Sequence, residues 1–306
     1  MNQLTSTIVM VSPDQFGFNP ETAKTNVFQN RPNDEKQTRD RALEEFKTMV
    51  KTLQANNIVV NVLNSRSDVI TPDAVFPNNW FSSHEEGIVV LYPLLAKNRR
   101  LERQEDKLYT VLGLHGIAHP TVIDFTHKEN EGLILEGTGS LVLDRVHRIA
   151  YAMGSPRTTK KLFNDWCNTM RYEGIFFHAY DINNLPIYHT NVVMSVGEEF
   201  AVLCAEAIRD KSECSRIQTR LEKSGKLIIS LTPAQICAFC GNILQVKSTA
   251  GVKKIVMSKN AYEGFSKSQK KILSRFGELV VVDISTIEKV GGGSARCMMA
   301  ELWVTR

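Results

Sequence analysis

Leu133-Ile134-Leu135-Glu136-Gly137-Thr138-Gly139-Ser140-Leu141-Val142-Leu143 is followed by Ile149-Ala150-Tyr151, by a helical pattern near residues 157–170, and by Ile175-Phe176-Phe177. Short apolar runs bounded by Gly and charged residues read as buried strands, so the order is strand, strand, helix, strand. The same order recurs on either side. Upstream, Ala74-Val75-Phe76 leads into Asn78-Asn79-Trp80, then Ile88-Val89-Val90-Leu91-Tyr92, a charged helix over about 99–113 and a strand near 120–125. Downstream, a unit runs through Tyr188 to Ser195, Phe200 to Cys204, a helix near 210–223 and Leu227-Ile228-Ile229. The next has Ile243-Leu244-Gln245-Val246, Ile255-Val256-Met257, a helix near 266–276 and Leu279-Val280-Val281-Val282, and the chain closes with the 291–304 segment.

The N-terminal unit begins with Ile8-Val9-Met10-Val11. Ala42, Leu43, Phe46, Met49, Val50 and Leu53 then recur at helical spacing across residues 36–55, before Ile58 to Leu63. The units are spaced unevenly, roughly 50 to 60 residues apart, and share order rather than sequence. Such units can close into a ring that leaves no unpaired outer edge. We read residues 1–306 as a single catalytic domain.

Composition narrows the function. The chain has 306 residues, 42% hydrophobic and 23% charged, enough to bury a large core. With 37 basic and 33 acidic residues its net charge is +4, no strong pull toward nucleic acid. It holds no run of 18 or more apolar residues, so no membrane span is expected. The first residues lack the basic and apolar segments of a signal peptide. Six cysteines without framework spacing suit a reducing compartment, and the expected location is cytoplasmic. Cys237-Ala238-Phe239-Cys240 has redox-pair spacing, but no second ligand pair accompanies it and it reads as structural. The remaining histidines show no metal-ligand spacing, so no metal is expected.

Three segments carry polar groups where plain strands need none: Pro72-Asp73-Ala74-Val75-Phe76-Pro77-Asn78-Asn79-Trp80-Phe81, Leu135-Glu136-Gly137-Thr138-Gly139-Ser140, and Pro186-Ile187-Tyr188-His189-Thr190-Asn191-Val192-Val193. Each opens a repeat unit, so a ring would bring them together. A fourth, Gly291-Gly292-Gly293-Ser294-Ala295-Arg296-Cys297-Met298-Met299, places a thiol beside a fixed positive charge after a bend-permissive stretch, which favours the thiolate. Cys297 is the candidate nucleophile.

Together these runs resemble the guanidino-group-modifying superfamily of arginine deiminases, dimethylarginine hydrolases and amidinotransferases. In particular they are similar to its arginine-deiminase-related branch of citrulline hydrolases (citrulline ureidases). The resemblance spans Phe16-Gly17-Phe18-Asn19 to Cys297. It implies an α/β fold, the five-bladed α/β propeller or pentein, with ββαβ units around a central active site. It implies Cys297 as nucleophile, His189 as general acid/base and Glu136 as the acid that holds the substrate's planar head. It further implies that Arg157 takes the substrate carboxylate, assisted by one of Arg99, Arg100 and Arg103. Asp73 lies near the α-amine and Phe76 against the aliphatic stem, with Asn78, Asn79 and Asn191 completing the substrate-binding set. No cofactor is implied. The expected partner is a small amino acid, with no nucleic acid and no membrane, and a homo-oligomer is compatible.

Two departures bear on the substrate. Arginine deiminases carry Asp at the positions of Asn79 and Asn191, where the carboxylates grip a guanidinium. A buried cation that loses such a partner is disfavoured by about 3–5 kcal/mol. A ureido group is neutral and has a carbonyl that needs a donor, which an Asn amide supplies. The expected reaction is therefore hydrolysis of citrulline to ornithine, ammonia and carbon dioxide through an S-carbamoyl intermediate. The alternatives are deimination or dihydrolysis of arginine or an acylated arginine and, more distantly, a non-enzymatic ribosome-binding pentein.

Overall fold

A computed structural model describes residues 2–304. Its fifteen strands form five three-stranded sheets. In chain order they are β1 Thr7–Val11, β2 Val59–Leu63, β3 Phe81–His84, β4 Ile88–Leu91, β5 Thr121–Asp124, β6 Leu141–Asp144, β7 Ile149–Met153, β8 Glu173–Phe177, β9 Met194–Val196, β10 Phe200–Leu203, β11 Leu227–Ser230, β12 Leu244–Lys247, β13 Lys253–Ser258, β14 Glu278–Val282 and β15 Ala300–Leu302.

Every sheet has one design. The entry strand pairs antiparallel with the middle strand, as β6 does with β7, and the middle strand pairs parallel with the outer one, as β7 does with β8. A parallel neighbour demands a crossover, and helices Glu35–Ala55, Glu105–Leu114, Lys160–Met170, Lys211–Lys223 and Lys267–Leu273 supply the five. The first sheet takes its entry strand from the far end of the chain. There β15 lies antiparallel to β1, which in turn pairs parallel with β2.

Burial follows position in the sheet. The entry strands β3 and β6 and the middle strands β1, β7 and β10 are buried along their whole length, and the middle strands read as nearly continuous apolar runs. The outer strands β5 and β11 alternate or face solvent. Entry strands of successive sheets touch: β15 with β3, β6 with β9, β9 with β12. A backbone bond joins the fifth sheet to the first, Lys247 N–H donating to the Thr5 carbonyl, and the turn Gly137–Ser140 packs on β3.

The helix Glu35–Ala55 shows why the crossovers form. Thr38, Ala42, Phe46, Met49 and Leu53 are buried at spacings of three and four, and Asp34 caps it by accepting from the Gln37 N–H.

Three expected elements differ. The 99–113 helix is two pieces, Lys97–Arg100 and Glu105–Leu114. The break is driven by Arg99 and Glu102, which turn inward together into the core. Leu133 to Glu136 is not a strand. It makes only an isolated bridge from Leu135 to Thr158 before a helical turn at Gly137–Ser140. Tyr188 to Ser195 is likewise mostly a turn at Thr190–Val193, with the strand starting at Met194. No helix among the described residues is long and apolar enough to cross a membrane.

Candidate active site

The turns that replaced those strands build the site. Pro77–Asn79 precedes β3, Gly137–Ser140 precedes β6, Thr190–Val193 precedes β9, a turn ending at Gly241 precedes β12, and Ala295 to Met298 precedes β15. Each sheet therefore delivers a polar residue just before its entry strand: Asn79, Glu136, His189, Asn242 and Cys297. The turns pack tightly on one another. Gly137 has φ +45, and a Cβ there would stand 2.3 Å from the Asn78 carbonyl oxygen.

Cys297 and His189 line one small cavity with Asp73, Phe76, Asn79, Arg99, Arg157 and Tyr188. The Cys297 Sγ accepts from two amides, Asn242 Nδ2 at 3.2 Å and Asn191 Nδ2 at 3.4 Å. Adjacency to Arg296 proves to be a different matter from contact. That guanidinium donates to the Met299 carbonyl at 2.8 Å and to Glu301 at 2.9 Å, so its charge is balanced by a carboxylate. The donors on sulfur are the two neutral amides.

His189 Nε2 donates to Glu136 Oε2 at 2.8 Å. Burial is the largest influence on the ring and lowers it to about 4, although the Glu136 carboxylate pulls the other way. His189 is therefore a neutral imidazole at neutral pH, and with Nε2 protonated its Nδ1 is the basic nitrogen. Burial opposes ionisation of Glu136, yet Arg157, the His189 bond and Arg99 together hold it down to about 2. Glu136 Oε1 also accepts from the Leu95 N–H at 3.0 Å, which fixes the carboxylate plane.

Arg99 is wholly buried. It pairs with Glu102 at 2.9 Å, donates to the Phe76 carbonyl at 3.2 Å, and donates through Nη1 to Asn79 Oδ1 at 2.6 Å. The Asn79 oxygen is thus committed, and its Nδ2 donates to Asn78 Oδ1 at 3.0 Å with one N–H to spare. Of the other two arginines considered, Arg100 and Arg103 both pair with Glu129 and do not line the cavity.

Asp73 Oδ2 accepts from Asn19 Nδ2 at 2.7 Å and Thr22 Oγ1 at 2.8 Å, while Oδ1 is buried with no partner among the described residues. Burial raises this carboxyl, with Arg99 and the two donors opposing. Phe76 lies against Gly291 and Gly293, where a Cβ would come within 2.8 and 2.9 Å of its ring. The glycine run thus serves chiefly as a flat wall for Phe76. Arg157 stands 3.5 Å from Glu136, lies over the Tyr188 ring, and donates to the Thr22 carbonyl and Thr25 Oγ1. Asn191 and Asn78 touch site residues without lining the cavity.

Asn242 escaped the sequence reading. Gly241-Asn242 looks like an ordinary turn, and the signal that marks it is its place before the fifth entry strand. Among the described residues, no cluster of three or more His, Cys, Asp or Glu is placed to hold a metal.

A cysteine, a histidine and a glutamate presented by three of the five sheets of a five-bladed propeller define a pentein hydrolase. The chain belongs to the N,N-dimethylarginine dimethylhydrolase family, eukaryotic type, whose profile matches residues 12–304. A search of curated proteins finds no match. Among solved structures, the N-terminal domain of ArgZ, a cyanobacterial arginine dihydrolase, was solved as a cysteine-to-serine mutant with substrate. It is 20% identical with a TM-score of 0.72, covering 96% of each chain. AgrE in complex with ornithine and NAD+ is 22% identical with a TM-score of 0.72, covering 97% of this chain but 39% of that one. The Pseudomonas aeruginosa dimethylargininase, a cysteine-to-serine mutant with citrulline, is 15% identical with a TM-score of 0.66, covering 98% of this chain and 100% of that one.

Proposed function

We propose that the protein is a citrulline ureidase: Cys297 attacks the ureido carbon of citrulline, and the products are ornithine, ammonia and carbon dioxide. The observation that carries this reading is the orientation of Asn79. With its oxygen turned to Arg99 and one N–H given to Asn78, Asn79 keeps an N–H free for a ligand. A ureido oxygen accepts that bond, whereas a guanidinium, which has donors and no acceptor, would meet donor with donor. Asp at 79 would instead pair with Arg99.

The chemistry follows from the protonation states. The Cys297 thiol passes its proton to neutral His189 as sulfur bonds to the ureido carbon. Glu136 stabilises the imidazolium so formed. The intermediate collapses, the bond from carbon to the δ-nitrogen breaks, and the proton on His189 goes to that nitrogen as ornithine leaves. Water then attacks the S-carbamoyl carbon, giving its proton to His189. The carbon–sulfur bond breaks, the thiol is restored, and the carbamic acid decomposes to ammonia and carbon dioxide. Asp73 Oδ1, buried with no partner among the described residues, is the acceptor for the α-ammonium, and Arg157 the donor for the carboxylate. Phe76 packs on the methylene stem.

Product analysis tests the reading. Citrulline should yield one ornithine and one ammonia per turnover, with no consumption of arginine, and Cys297→Ala should reduce turnover to background. Release of ornithine or citrulline from arginine at a comparable rate overturns it.

A further inference from the structure

Asn242 and Asn191 hold the nucleophile in the same way. Asn191 Nδ2 gives one N–H to the Thr138 carbonyl at 3.3 Å and the other to the Cys297 sulfur. Asn242 Nδ2 gives one to the Asn191 carbonyl at 3.1 Å and the other to the same sulfur. Each amide is pinned by a backbone carbonyl, so neither can flip without setting oxygen against oxygen. Both Oδ1 atoms are buried with no partner among the described residues, so the N–H bonds alone set how the amides are turned. All of these residues are buried.

A guanidinium substrate brings a positive charge to the sulfur and can help its thiol ionise. A ureido substrate brings none. Where the substrate is neutral, stabilisation of the thiolate must come from the protein, and a bond from N–H to an anionic sulfur is stronger than one to a thiol.

We propose that Asn242 is a catalytic residue of this enzyme, forming with Asn191 a two-amide cradle that stabilises the Cys297 thiolate. The assignment rests on Cys297 being the nucleophile but not on which substrate it attacks.

The test follows the rate of iodoacetamide alkylation of Cys297 against pH, with Cys297→Ser as the blank for the other cysteines. Asn242→Leu keeps the branched shape and removes the donor. It should slow alkylation at pH 7 about tenfold and move the profile up by about one pH unit, lowering kcat by a similar factor with less change in KM. Asn242→Ser, whose hydroxyl donates, should recover part of the loss. A folded Asn242→Leu protein with an unmoved profile overturns the proposal. If that variant does not fold, the wild-type protein decides. The Asn242 side-chain NH2 resonances should shift as the Cys297 thiol titrates and should lose that shift in Cys297→Ser, and resonances unaffected by the thiol overturn the proposal. A shifted profile in a protein that leaves citrulline intact would reject the substrate and keep the cradle.

Discussion

At the scale of the residue, Arg99 and Asn79 carry the substrate argument. Asn79→Asp replaces a directed amide with a carboxylate 2.6 Å from a buried guanidinium, and the new ion pair withdraws both oxygens from the cavity. Citrulline kcat/KM should fall at least tenfold, the loss expected for one buried hydrogen bond to a reacting group. The ratio of rates on citrulline and arginine measures it. An unchanged ratio would remove the neutral-head argument. Cys297, His189 and Glu136 were legible because each sits in a run of polar and small residues that no plain strand requires. Arg296 was misread because sequence adjacency says nothing of direction, and Glu301, five residues on, takes its charge. Asn242 was invisible because one Asn in a turn is ordinary; only its place in the repeat distinguishes it.

At the scale of the element, the site belongs to the five turns that precede the entry strands. Sequence patterning found the strands and crossover helices because apolar periodicity reports burial. It extended two strands too far, because Leu135-Glu136 and Tyr188 to Val193 are buried for a different purpose, to pack turn against turn. Gly139 shows how little slack remains: a Cβ there would stand 2.5 Å from Asn79 Nδ2 and 2.7 Å from His189 Nδ1. Gly139→Ala should therefore push both side chains out of place. We expect kcat on citrulline to drop about a hundredfold, the scale of a 1 Å misplacement. Because the displaced groups are side chains, the melting temperature should change by only a few degrees. Full activity in the Ala variant would show that the turns are looser than their spacing indicates.

At the scale of the whole molecule, buried ionisable groups link stability to pH. His189 is lowered to about 4 and His84 well below its ordinary value, in both cases chiefly by burial. The unfolded chain takes up these protons from about pH 6.5 downward while the folded one does not. The unfolded state therefore binds more protons, and this contribution to stability falls as pH drops through that window. The buried acids Asp73 and Glu102 are raised and act in the opposite sense, so the test is a difference. His189→Asn removes one histidine contribution, and its melting temperature should fall less between pH 7 and pH 5 than that of the wild type. An equal fall in both proteins would mean that His189 is not held neutral. The five-unit plan was readable in the chain because each unit repeats one order of elements. The exchange that lets β15 complete the first sheet was less so, because that strand is short and preceded by turns.

That exchange has a kinetic consequence. The strand that carries Cys297 into place pairs with residues nearly three hundred positions earlier, Leu302 opposite Thr7, and contacts of such separation are the slowest for a chain to find. Helices and local strand pairs can assemble from diluted denaturant well before that seam is joined. Ornithine release should consequently reappear after far-ultraviolet circular dichroism has recovered, so that enzyme activity serves as a clock for closure of the ring.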